Sequence, residues 1–106
     1  MSDTPDKTEF KTLNNALTYL GHQKYTKAQQ ESLGHAFYNY LSPIDEANLK
    51  PLFIDTPDVI NSLKVIHNFA VKFQDNSDLI QDLEDEFDVL MEFIIGQQED
   101  DSWVSL

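Results

Sequence analysis

The stretch Ser77-DLIQDLEDEFDVLMEFII-Gly96 decides how this chain folds. Ile80, Leu83, Phe87, Leu90, Met91 and Ile94 recur at helical spacing, and with successive residues 100° apart they form one apolar stripe. Asp78, Asp82, Asp85 and Glu92 fall on the opposite side, with Asp88 beside them and Val89 in their midst. The pattern predicts an amphipathic helix from about Ser77 to Ile95, opened by the turn-forming cluster Asp75-Asn76-Ser77-Asp78 and stopped by Gly96.

Working upstream, the same period returns. Val59, Leu63, Ile66, Ala70 and Phe73 form a second stripe behind Thr56-Pro57-Asp58, a cap followed by proline in the first turn. Ser42-Pro43 repeats that signal and predicts a short helix to about Leu49, ended by Pro51. Thr26-x-x-Gln29 has the form of a capping box and opens a helix to about Leu41, with Leu33, Phe37, Tyr40 and Leu41 facing inward. Around residues 7–20, Phe10, Leu13, Leu17 and Leu20 recur at spacings of 3, 4 and 3, and Gly21 follows as a stop. No segment alternates in the two-residue period of a strand, although 51–55 has some extended character. The expected fold is all-α, a small helical bundle of four main helices plus one short helix.

With 106 residues, 1–106 reads as a single acidic helical domain in which 97–106 is an acidic and apolar C-terminal tail. Absence of cysteine excludes disulfides and thiolate metal sites. MSDTPDKTEF lacks the positive start and apolar run of a signal peptide, and the apolar clusters are far too short to span a membrane. We expect a cytoplasmic protein without membrane association.

Charge is distributed unevenly. The first 72 residues hold eight acids and seven lysines, whereas the 34 residues after Lys72 hold eleven acids and no Lys, Arg or His. A surface so one-sided attracts basic partners and repels polyanions, so direct nucleic-acid binding is disfavoured. The cations point the same way, being dispersed lysines without one arginine for bidentate phosphate or guanine contacts. On a helix, residues three and four apart lie about 5–6 Å from one another. A row of carboxylates at that spacing can imitate a phosphate backbone. Val89, ringed by Asp82, Asp85 and Glu92, resembles the apolar centre of an interface inside a charged rim.

A second unusual segment is the tail, where Glu99, Asp100 and Asp101 precede the only tryptophan, Trp103, and then Val104 and Leu106. It fits either a short docking motif, with acids steering an apolar tip, or a segment folded back over the end of the bundle.

Chemistry-bearing motifs are sparse. Glu31 and His35 are spaced for two metal ligands on a helix, but no second pair completes a site, so no metal is expected. His67 beside its stripe reads as a partly buried histidine. Residues 75–86 have the length of a calcium loop, yet Ile80 replaces its glycine and Leu79 one ligand. There is no glycine-rich phosphate loop, so no cofactor and no enzymatic activity are expected.

Two function classes follow. The first is a small acidic inhibitor or immunity-type protein that covers a basic surface of a nuclease, toxin or DNA-binding protein, by nucleic-acid mimicry. Its interface would comprise Asp78, Asp82, Asp85, Asp88, Val89 and Glu92, with Glu99, Asp100, Asp101 and Trp103 from the tail. The alternative is a non-catalytic adaptor or assembly protein that binds through the tail or exposed apolar residues.

Overall fold

The computed structural model describes residues 5–105, with side chains from Pro5 to Gly96. Five helices follow one another, α1 (Lys7–Gly21), α2 (Lys27–Tyr38), α3 (Glu46–Leu49), α4 (Asp58–Lys72) and α5 (Ser77–Ser105), and no strand occurs among the described residues. The architecture is the all-α bundle of four main helices and one short helix that the apolar periodicity implies.

Each helix start has a local cause. Asp6 caps α1 in a reciprocal box, its carboxylate accepting from the Glu9 amide at 2.8 Å while Glu9 accepts from the Asp6 amide at 3.0 Å. Thr26 and Gln29 form the expected box on α2, at 3.1 and 2.8 Å. Asn76 opens α5 by accepting from the Leu79 amide at 3.2 Å. On α4 the start is where Thr56-Pro57-Asp58 places it. No side chain caps it; the Val59 and Ile60 amides donate instead to the carbonyls of Thr56 and Pro57.

Several boundaries differ from the sequence reading. Helix α2 ends at Tyr38, where the Asn39 amide still donates to the His35 carbonyl, and a turn follows in which the Ser42 amide donates to Asn39. That turn occupies the residues Ser42-Pro43 would need to begin a helix. The short helix starts only at Glu46, with Asp45 accepting from the Asn48 amide at 3.4 Å. Residues 51–55 are turns rather than extended chain, the Leu52 and Phe53 amides donating back to Leu49. Finally, α5 continues through Gly96. Among the described residues no glycine adopts the positive φ of a helix-ending cap, so Gly96 is an ordinary helical residue.

Packing pairs non-adjacent helices. α1 lies mainly along α4, α2 lies along α5, and a smaller contact of α1 with α5 joins the two pairs. The α4 stripe of Val59, Leu63, Ile66, Ala70 and Phe73 is buried throughout. Leu13, Ala16 and Leu20 meet it from α1, Leu33 and Phe37 from α2, and Leu83, Phe87 and Ile94 from α5. Leu49 and Phe53 fill the end near α3, where Tyr25 meets Phe53 edge-on and donates to the Leu20 carbonyl at 2.6 Å. Leu41, expected inside, is exposed because the chain has left the helix before reaching it.

Gly21 is the last residue of α1 and is buried. A Cβ added there would sit 3.1 Å from Leu90 Cδ1, with Phe93 3.8 Å away. The glycine permits close approach of α1 to α5, and the helix stops there as the sequence suggests, though without the positive φ of a left-handed cap. Gly21→Val places branched methyls into that contact. We expect a loss of about 1–3 kcal/mol in urea-denaturation stability, the usual cost of overpacking. A variant as stable as the parent would mean that α1 and α5 are further apart.

Candidate functional site

The outer face of α5 is assembled by the burial of its inner one. The Phe87 ring stacks on Phe37 at 4.9 Å between centroids and 7° between planes, and meets Tyr40 at 5.4 Å. With Leu83 and Ile94 also buried, the rotation of the helix is fixed, and Asp78, Asp82, Asp85, Asp88 and Glu92 are all exposed. Val89 is 63% exposed on the same side.

The seven carboxylates from Asp78 to Glu92, counting Glu84 and Glu86, occupy 14 residue steps of helix. At 1.5 Å per residue that is about 21 Å, or one charge per ~3.5 Å. One DNA strand carries a charge per roughly 3.4 Å of axis. Two such charges 6 Å apart repel by about 0.7 kcal/mol in water before screening. The ion pairs Lys72–Glu9 and Lys64–Glu46 do not relieve this, since they lie elsewhere, tying α4 to α1 and to α3. Hydrogen bonding from these lysines holds the Glu9 and Glu46 carboxyls below their ordinary pKa. Neither of these pairs involves a carboxylate of α5.

Two α5 carboxylates have polar neighbours of another kind. Gln81 Nε2 donates to Asp85 at 3.2 Å, one turn along the helix. Tyr40 Oη donates to Glu84 at 2.7 Å, and desolvation, with that bond second, pushes the phenol up to about 12. Tyr40 therefore stays a donor through the neutral range. Its carbonyl in turn meets Nδ1 of His67 at 2.9 Å, which accounts for the partly buried histidine of α4.

The expected interface residues do not form one uniform row. Asp78, Asp82, Asp85, Val89 and Glu92 share the outer face, whereas Asp88 lines a cleft between α5 and α2 together with Glu84. On the other flank, Val89 and Glu86 border a cleft of about 270 Å³ between α5 and α1. There the structure adds a residue the sequence reading left out. Phe93, one turn beyond Val89, is 50% exposed, so the apolar spot is a pair of side chains. The i+4 spacing from Val89 is the signal that finds it. Glu99, Asp100, Asp101 and Trp103 lie beyond Gly96, outside the residues whose side chains are described. Glu31 and His35 are both exposed on α2.

No protein-family model, curated protein or solved structure matches this chain.

Proposed function

We propose that this protein is a small acidic inhibitor or immunity-type protein that uses the outer face of α5 to cover a basic surface, one that binds nucleic acid, on a nuclease, toxin or DNA-binding protein. The observation that carries the reading is the outer face of α5, where Asp78, Asp82, Asp85 and Glu92 are exposed beside an exposed Val89 and Phe93. Such a face has a physical use. Its field steers a basic partner and raises the encounter rate. The apolar pair supplies the short-range contact that charge alone does not. No step of this function needs a cofactor or a reacting group on the protein.

The test is recovery of the partner from host lysate at low salt, its identification, and titration of the purified pair across ionic strength. Screening length falls from roughly 14 to 4 Å between 50 and 500 mM salt. We expect affinity to drop by more than about tenfold over that range, chiefly through slower association. An adaptor held by an apolar tail would bind almost equally at both ends. Constant affinity would therefore rule out the α5 face as the recognition surface.

A further inference from the structure

The cleft between α2 and α5 differs in kind from the outer face. It encloses about 400 Å³, with aromatic side chains on the α2 side and carboxylates on the α5 side. Tyr38 closes one edge and is 85% exposed. Tyr40 is braced by Phe87 and fixes the Glu84 carboxylate through its 2.7 Å hydrogen bond. Asp88, one turn after Glu84, lines the same space, and Met91 contributes an adaptable apolar wall.

Gly34 lies at the α2 side of this cleft, in the interior of the helix. Glycine there weakens a helix relative to alanine. Nothing among the described residues calls for it, since a Cβ would meet no atom within 4 Å and φ is negative. Gly21 is explained by a neighbouring helix, but Gly34 opens onto free space. Gly34 thus leaves its stretch of the cleft wall without a side chain.

We propose that this cleft receives an arginine side chain of the partner protein. The inference rests on the reading that the partner is basic, and it names the anchoring contact. A guanidinium is flat, so it can lie against the Tyr38 and Tyr40 rings while its fork of N–H donors faces Glu84 and Asp88. A lysine ammonium is a compact, strongly hydrated charge and uses neither the flat walls nor the paired acceptors as well. Because Tyr40 already orients Glu84, little ordering is needed on binding.

The experiment uses the full-length 15N-labelled protein and blocked amino acids as probes at low salt. N-acetyl-arginine methylamide should shift the amides of Gly34, Tyr38, Glu84 and Asp88 in a saturable way, and the lysine analogue should bind at least about fivefold more weakly. Glu84→Gln, Asp88→Asn and Tyr38→Ala should each weaken the arginine probe by about threefold or more, with melting temperatures close to the parent. Gly34→Ala should raise the melting temperature by a few degrees while weakening the probe. The variant Asp82→Asn/Asp85→Asn/Glu92→Gln should bind the probe within about twofold of the parent, because its charges lie outside the cleft. Equal shifts along all of α5 with both cations would mean diffuse counter-ion attraction and overturn the assignment. So would unchanged probe binding by Gly34→Ala. Either failure would leave the salt-dependent reading of the outer face standing, because that is measured on the partner complex.

Discussion

Phe87→Ala will lower the free energy of unfolding by about 3–5 kcal/mol, the range for deleting a buried aromatic ring. Phe87 is 5% exposed, stacks on Phe37 and supports Tyr40, so its loss removes contacts that α2 and its following turn make with α5. A domain of this size has roughly 5–15 kcal/mol in total, so the variant will sit near its unfolding threshold. Urea denaturation followed by circular dichroism gives the value. Phe87→Leu keeps most of the volume and should cost under about 1.5 kcal/mol, which separates the cavity from loss of the ring. A loss below about 1 kcal/mol in the alanine variant would mean that the stack is absent from the folded state.

The second large effect is on binding rather than folding. Asp82→Asn, Asp85→Asn and Glu92→Gln together remove three charges and keep side-chain shape. The bond from Gln81 survives the Asp85→Asn change, because the new amide oxygen can still accept it. Stability should hold or rise, by a few tenths of a kcal/mol for each relieved like-charge pair. Affinity for the partner should fall by about 1 kcal/mol or more, roughly tenfold, mostly in the association rate. Val89→Ala should add a smaller loss with little salt dependence, as an apolar contact does. A protein that becomes more stable and binds worse cannot be explained by damaged packing, which would lower both. Full affinity in the triple variant would place the interface elsewhere, with the segment around Trp103 next to be tested.

Helix identity was legible because the signals were local. The capping box at Thr26 and Gln29, the cap at Asn76 and the α4 stripe each depend on residues within a turn or two. Misreadings arose where two local signals competed or where a residue had two uses. Ser42-Pro43 and Asp45 are both sound helix starts three residues apart, and the turn closed by Asn39 and Ser42 decides between them. Glycine can end a helix or sit inside one: α1 stops at Gly21 as its sequence suggests, whereas α5 continues through Gly96. Exposure of the α5 acids followed from the helical wheel. The α2–α5 cleft did not, because it joins Tyr40 to Glu84 across 44 positions, and only folding brings them together.

The pairing of α1 with α4, and of α2 with α5, also bears on how the chain reaches this state. Neighbours in sequence do not supply the principal contacts, as they would in an up-and-down bundle. About 36 residues separate the end of α1 from the start of α4, and closing a flexible loop of that length costs roughly 3 kcal/mol of chain entropy. For an all-helical protein the contact order is correspondingly raised, which slows the search for the native topology. On the ribosome, α2 has no main partner until α5 has emerged. Completion of the α2–α5 half of the core is thereby deferred until the acidic face is present.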